Sequence, residues 1–311
     1  MKLIESKAEY IPQEEGLEGI YKAIELAGRT AYHSMDKITP DSAKDFVDRM
    51  IKSKHGACLE HGTVYLFYSV SCYDREGQKL VSKYESNPYS KVIYVGVDDD
   101  EPAEDGNYYN LMSNEACGNE QYVITTNYRT LIENNWLDDL KYLCSPTEFH
   151  EKRYTMRFTC SRAIAQELTR HRKFSFLMES QRYINYSRER HGGEITLIMP
   201  DRSAWYGNEE SKGEAYWSML NLLDEIERIY MQAIECGVQP QIARDVLPNA
   251  TKTELIMTGF SSDWRFLMDL RLFEKTGKVH PDMKDLMQKA QKAMQEAGIW
   301  EDIMSKPSKF E

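Results

Sequence analysis

Arg153-Tyr-Thr-Met-Arg-Phe-Thr-Cys160, running on through Ser161-Arg-Ala-Ile-Ala-Gln-Glu-Leu168 to Thr169-Arg170-His171-Arg172-Lys173, is the stretch from which the fold is read. Its first eight residues alternate, with Tyr154, Met156, Phe158 and Cys160 on one face, the period of a half-buried strand. At Ser161 the period changes. A serine cap followed by Ala163, Ile164 and Leu168 on one side describes a helix. Three cations and a histidine then occupy four consecutive positions, 170–173, where the helix ends.

The same two periods recur on either side. Upstream, Pro40-Asp41-Ser42 opens a helix carrying Phe46, Val47, Met50 and Ile51, which ends before His55-Gly56, and Thr63 to Val70 reads as a strand. Tyr122 to Thr126 reads as a strand and Asn127 to Leu143 as a helix. Downstream, Glu194 to Met199 is a short strand, and Tyr216 to Glu235 is a long amphipathic helix closed by Gly237. A short helix begins at Pro240 and stops at Pro248; Ser262-Asp263 caps another that runs to about Phe273; a last one covers Pro281 to Ala297. Helices interspersed with a few strands, without regular βαβ alternation, define an α+β chain.

At roughly 100–200 residues per domain, 311 residues make one large domain or two small ones. The expectation is a single domain over 1–311 with an inserted elaboration at about 72–151, because Val97 to Glu120 is an acidic loop of a length that compact domains seldom carry. The 39 Lys and Arg against 50 Asp and Glu leave a net charge of −11, which argues against a partner that is a nucleic-acid polymer or an anionic membrane. Phosphate must therefore be met by a local basic cluster. No apolar run approaches the roughly 20 residues needed to span a bilayer, and acids among the first residues argue against a secretory signal. The six cysteines are scattered without a CxxC, as in a cytoplasmic protein with reduced, mostly buried thiols, although an even number leaves pairing open.

Four constellations bear on chemistry. Arg170-His171-Arg172-Lys173, with Ser180 and Arg182 beyond it, suits a nucleotide phosphate, since the guanidinium fork binds phosphate bidentately; the blander reading is cations at a helix C-terminus, where the macrodipole favours them. Arg271 follows Trp264, Leu267 and Met268 on a stripe that should face the core. It therefore needs an anionic or carbonyl partner, which a structural Asp or Glu could also supply. His55-Gly-Ala-Cys-Leu-Glu60-His61 contains zinc-ligand residue types at a spacing that is not the i, i+4 pair of a metal-binding helix; core histidines or contact with an organic cofactor are the other readings. Gln241-Ile-Ala-Arg244 places one arginine on a short helix. There is no GxGxxG, no P-loop and no GxSxG elbow.

Taken in order, these segments resemble the flavin-dependent thymidylate synthases, whose signature is RHR, seven residues and Ser: here Arg170-His171-Arg172, KFSFLME and Ser180, continuing into Arg182-Tyr183. HGACLEH is similar to the family's His-rich stretch, QIARDVLP to its Ala-Arg-x-x-Leu-Pro segment, and DWRFLMDLR to its closing arginine helix. The resemblance implies that family's fold, an antiparallel sheet with long helices, enlarged here by an insertion. It implies a homotetramer with shared active sites, FAD and no metal, and conversion of dUMP to dTMP with 5,10-methylenetetrahydrofolate as carbon donor and NADPH as reductant of the flavin. It also implies residue roles. His55, Glu60, Arg170, His171 and Arg172 fall at FAD-contact positions. Glu167, Arg170, Glu179, Ser180, Gln181, Arg182, Arg244 and Arg271 line the dUMP site, with Arg182 and Arg244 on its phosphate. Arg271 is the catalytic arginine that promotes ionisation at N3 of the uracil.

The chain also departs from the family pattern. Leu177-Met178 stand where Asn-Glu is usual, Phe266 stands where a His or Asn touches the flavin, and Gly277 to Asp282 replaces an Ala-Gln-x-Glu segment. Loss of flavin would leave a non-catalytic nucleotide-binding or regulatory relative, and a zinc hydrolase using His55 and His61 is a third reading.

Overall fold

The computed structural model describes residues 1–71, 75–98, 119–182, 184–188, 192–199 and 210–310. In chain order the elements are β1 (Lys2–Ile4), β2 (Lys7–Ile11), α1 (Gly16–Ala31), α2 (Ser42–Lys52), α3 (Gly56–Leu59), β3 (Thr63–Ser71), α4 (Arg75–Glu85), β4 (Lys91–Asp98), β5 (Asn119–Asn127) and α5 (Tyr128–Asn134). There follow β6 (Arg153–Ser161), α6 (Arg162–Leu168), β7 (Ser175–Met178), β8 (Thr196–Ile198), α7 (Glu210–Glu235), α8 (Pro240–Ala243), β9 (Lys252–Phe260), α9 (Ser261–Arg271), α10 (Pro281–Glu296) and α11 (Trp300–Ser305). The class is α+β, as the sequence patterns require.

The chain divides into two compact units: Met1–Pro12, Glu25–Ser42 and Tyr154–Glu311 form one; Gln13–Ile24 and Ala43–Arg153 form the other. The first is built on a four-stranded sheet in the order β2-β6-β9-β7, with β2 antiparallel to β6 (Lys7 opposite Thr159) and β7 antiparallel to β9 (Ser175 opposite Thr258). The alternation that identified β6 is its burial: Tyr154, Met156, Phe158 and Cys160 are all in the core. Against them pack Ile164 and Leu168 of α6, Trp264, Leu267 and Met268 of α9, and Met283, Leu286 and Met287 of α10. Trp264 is fully buried, donates its indole N–H to the Tyr154 carbonyl at 3.1 Å and meets the Phe174 ring edge-on at 4.8 Å. Gly259 has to be glycine, since a Cβ there would lie 2.3 Å from the Phe174 ring. A second cluster joins Leu223 and Tyr230 of α7 to Ile195, Leu197 and Tyr186.

The second unit carries the antiparallel sheet β3-β5-β4, with Thr63 opposite Asn127 and a bulge between Tyr94 and Gly96. The stretch expected as an elaboration, 72–151, lies wholly in this unit together with residues 43–71. It contains α4 and β4, which carry no clear period in the sequence. Most of the acidic stretch 97–120 lies outside the described residues, as do Cys72 and Cys117. The four described cysteines, Cys58, Cys144, Cys160 and Cys236, are unpaired thiols; the first and third are buried and Cys236 is exposed.

Some element boundaries differ from expectation. The helix expected over Asn127 to Leu143 stops at Asn134, because Asn135 takes the left-handed conformation (φ 58°), and resumes as a 3-10 helix over Leu137–Tyr142. Asn127 caps the first part by accepting the Thr130 N–H. The helix expected to be capped by Ser262-Asp263 begins earlier, at Ser261, directly from the end of β9 and without a side-chain cap. Residues Gly16–Ala31 form a further helix, beyond those expected from the sequence.

Trp264→Ala is expected to cost about 3–5 kcal/mol of stability, seen as a lower urea midpoint; a loss under about 1 kcal/mol would contradict the central place given to this ring. His61 offers a second test. Burial, and then the charge of Arg153, push its imidazole down to about 3, whereas an unfolded histidine titrates near about 6.5. Between those values the unfolded chain holds a proton that the native chain does not. The contribution is therefore complete above about pH 6.5 and is lost as the pH falls. The melting temperature, followed by circular dichroism, is expected to drop on acidification and to drop less steeply in His61→Asn; equal slopes would refute this.

Candidate functional site

The helix α6 delivers the arginine-rich segment. Ser161 caps it as expected, its Oγ accepting the Ile164 N–H at 3.3 Å, and the helix ends at Leu168, so that residues 170–173 follow its negative end. Arg170 and Arg172 are exposed and His171 is half-buried. The helix α9 supplies Arg271, its last residue. Trp264, Leu267 and Met268 on the same stripe are fully buried, and the Arg271 side chain is 26% exposed. Its Nε–H donates to His171 Nε2 at 3.0 Å, and its Nη1 lies 3.5 Å from the Glu167 carboxylate. Burial first, and the neighbouring guanidinium second, push the His171 imidazole down to about 4. At neutral pH the ring is uncharged, and accepting at Nε2 places its proton on Nδ1. Glu167, His171 and Arg271, far apart in sequence, are thus brought into direct contact.

The segment after β7 is tied down by Glu179. Continuing the β7–β9 register, its N–H donates to the Glu254 carbonyl at 2.8 Å. Its buried carboxylate accepts from Lys252 Nζ and from the Glu254 N–H, each at 3.2 Å, and lies 3.1 Å from His33 Nδ1. Lys252 also reaches the Glu254 carboxylate at 2.9 Å. Burial works against the ammonium, but Glu179 and Glu254 outweigh it and raise the Lys252 pKa. The Ser180 N–H donates to the Ala31 carbonyl at 3.4 Å; Gln181 is buried and Arg182 exposed. Tyr183 lies outside the described residues.

His33, Lys252 and Glu254 were not among the candidate residues. Two of them left a trace in the sequence, since Lys252 and Glu254 are two apart on a strand and so share a face. His33, held at φ 50° beyond the end of α1, left none.

The departures from the family pattern also have structural places. Met178 packs against the hydrophobic core of the first unit. Phe266 is stacked by Phe310, with ring centroids 5.9 Å apart and planes 6° from parallel, and Lys309 lies 4.4 Å over the same ring. Within 277–282, His280 caps α10 by accepting the Asp282 N–H at 3.2 Å, with Pro281 in the first turn. Arg244 is half-buried in the 3-10 turn Arg244–Val246 that follows α8.

His55 and Glu60 belong to the second unit. His55 is exposed at the start of α3, and Glu60 pairs with Arg129 Nη1 at 2.5 Å while Arg129 Nε holds Glu133 at 2.7 Å. Arg153 Nη1 donates to the Glu60 carbonyl at 3.2 Å. Among the described residues no group of three or more His, Cys, Asp or Glu is arranged to hold a metal ion, and no helix is long and apolar enough to cross a membrane.

Known proteins resemble the chain over the region that holds these segments. The model of the family described as thymidylate synthase complementing protein matches residues 116–297, a range that contains Glu167 to Arg182, Arg244 and Arg271 and begins beyond His55 and Glu60. A probable flavin-dependent thymidylate synthase of Paramecium bursaria Chlorella virus 1 is 27% identical over 141 residues, 42% of this chain and 61% of that protein. The flavin-dependent thymidylate synthase of Corynebacterium efficiens is 33% identical over 123 residues, 37% of this chain and 47% of that protein. The chain thus spans about half the length of the curated relatives it matches. A crystal structure of the UMP/dUMP methylase PolB from Streptomyces cacaoi, bound with 5-Br dUMP, aligns over 98% of this chain and 97% of that one, at 13% identity and a TM-score of 0.46. Because the family model runs over more than half of its residues, through all of the arginine-rich segments of the site, this chain belongs to the thymidylate synthase complementing protein family.

Proposed function

We propose that the protein is a flavin-dependent thymidylate synthase, converting dUMP to dTMP with 5,10-methylenetetrahydrofolate as carbon donor and FAD, reduced by NADPH, as redox cofactor. We further propose that it works in the cytoplasm as a homotetramer with shared active sites. The observation that carries the reading is the contact of Arg271 with His171 and Glu167, which gathers the catalytic arginine and the arginine-histidine motif into one site.

In this reading Arg271 lies beside the pyrimidine imide. A guanidinium there favours the anionic form of the ring and makes C5 a better carbon nucleophile. The neutral His171 fixes the guanidinium through Nε without competing for its charge. Arg182 and Arg244 hold the dUMP phosphate, with Ser180, Gln181 and Arg170 along the nucleotide. Glu179, engaged by Lys252 and the Glu254 N–H, holds that segment in place. Two exposed guanidiniums, Arg170 and Arg172, flanking an uncharged imidazole are a donor set that fits the diphosphate and carbonyl groups of FAD. Bound there and reduced by NADPH, the flavin would supply the hydride. No enzyme cysteine is needed as nucleophile.

One observation favours a second reading, a nucleotide-binding relative that has lost flavin: Phe266, at a flavin-contact position of the family, is covered by Phe310. Purified protein separates the two. The synthase reading expects a yellow protein with flavin absorbance that releases tritium from 5-labelled dUMP when NADPH and methylenetetrahydrofolate are supplied anaerobically. Colourless protein that binds dUMP and releases no tritium would establish the second reading. Arg271→Ala is expected to lower turnover by about 100-fold or more, the effect of removing a transition-state donor, and wild-type turnover in that variant would remove the assigned role. Arg182→Ala is expected to weaken dUMP binding about tenfold or more, as loss of a charge-assisted phosphate contact does; an unchanged Kd by calorimetry would refute that assignment.

A further inference from the structure

The segment that follows α11 folds back over α9. Lys306 pairs with Asp302 at 3.0 Å, Ser308 Oγ donates to the Asp269 carboxylate at 2.6 Å, and the Phe310 N–H donates to Ser308 Oγ at 3.2 Å. Asp269 is a fully buried residue of α9, so this node ties the segment to the core. What the segment lays on the helix is a ring. Phe310 stacks on Phe266 with the planes 6° from parallel, and Lys309 Nζ lies 4.4 Å from the centre of the Phe266 ring. The Phe310 ring is itself 40% exposed, outside the hydrophobic cluster that holds Trp264. The helix beneath also borders the arginine-histidine segment: His171 meets Arg271 at its last residue, and Lys173 Nζ lies 3.7 Å from Asp263 in its first turn. Phe266 lies between those two contacts along the helix axis, no more than about 8 Å of rise from either.

We infer that Phe266 is a stacking platform for the planar ring system of the flavin, and that Phe310 is a competitor for that platform carried by the same chain. The strap Lys306–Phe310 and the flavin ring exclude each other from the Phe266 face, so the strap sets how readily the cofactor is taken up. The inference rests on the flavin reading of the site and adds to it a residue that binds the ring and a segment that controls access. Its basis is the geometry of the covered face. A parallel, offset ring is how one aromatic system lies on another, and a planar heteroaromatic ring takes the same position as Phe310 does. The strap is also held lightly. Beyond Lys306 its contacts with α9 are the Ser308 to Asp269 hydrogen bond, the ring stack and the Lys309 cation over the ring, and Lys309 and Phe310 are both exposed. A strap that only sealed the end of the fold would affect stability and leave flavin affinity unchanged.

The test is titration of the full chain, freed of bound flavin, with FAD, read as the change in flavin fluorescence, in wild type, Phe310→Ala, Ser308→Ala and Phe266→Ala. One stacked aromatic contact is worth about two- to tenfold in an equilibrium. Phe310→Ala is therefore expected to bind FAD more tightly than wild type by about that factor, and Ser308→Ala, which loosens the strap without touching either ring, to bind more tightly as well. Phe266→Ala is expected to bind FAD more weakly than Phe310→Ala by a similar factor, because it removes the platform along with the competition. ADP, which carries the adenine and diphosphate of FAD but no flavin ring, is expected to bind wild type and Phe310→Ala alike. Equal FAD affinity in wild type and Phe310→Ala overturns the competition, and weaker binding in Phe310→Ala overturns it too, because the strap would then clamp the ring. Equal affinity in Phe310→Ala and Phe266→Ala overturns the platform. A gain for ADP as large as that for FAD overturns the role assigned to the ring. If neither wild type nor any variant binds FAD while all bind dUMP by calorimetry, the flavin reading itself falls, a failure distinct from the loss of the Phe310 effect alone.

Discussion

The hydrogen bond from Arg271 Nε to His171 Nε2 joins residues 100 positions apart. It can form because Arg271 ends α9 and His171 follows the end of α6, two helices anchored in the same core. Trp264, Leu267 and Met268 bury one stripe of α9, and Ile164 and Leu168 bury one side of α6. The next position on the α9 stripe therefore meets whatever follows α6. A cation there must find partners, since an unpaired guanidinium brought partly out of water costs several kcal/mol. A neutral imidazole and a half-exposed carboxylate meet that demand without cancelling the charge outright. The site is an extension of the hydrophobic packing, carried one residue past its edge.

Glu179 shows the opposite arrangement. Its carboxylate is buried, and Lys252, the Glu254 N–H and His33 surround it. Such a cluster contributes little to net stability, because desolvation of the charges offsets their attraction, but losing one partner is strongly destabilising. Its effect is to hold the backbone of Glu179 and Ser180 against β9 and the end of α1. Where the family pattern expects a carboxylate, Met178 instead faces the core, and the carboxylate stands one residue later. Moving one residue along an extended chain turns the side chain to the other face. That reversal accounts for a carboxylate engaged with strand residues.

Elements with a strict period were legible in the sequence. The alternation of β6, the serine cap of α6 and the stripe of α9 each predict burial from spacing alone, and each is found. Less of the second unit was legible. Its β4 and α4 have mixed composition, and what stabilises them is pairing with β5 and contacts such as Tyr84 to Asp139 at 2.8 Å. The break at Asn135 was hidden because asparagine tolerates both helical and left-handed backbone.

By itself the sequence determined the α+β class, the family through its ordered arginine segments, and the need of Arg271 for a partner. Those properties follow from local period and from residue types at fixed spacing, which need no knowledge of distant contacts. Only the tertiary structure decided which partners Arg271 takes, that Glu179 faces Lys252 and His33, and that Phe310 lies on Phe266. These are pairings between residues widely separated in the chain, set by how helices and strands pack on a shared core, and spacing along the chain carries no record of them.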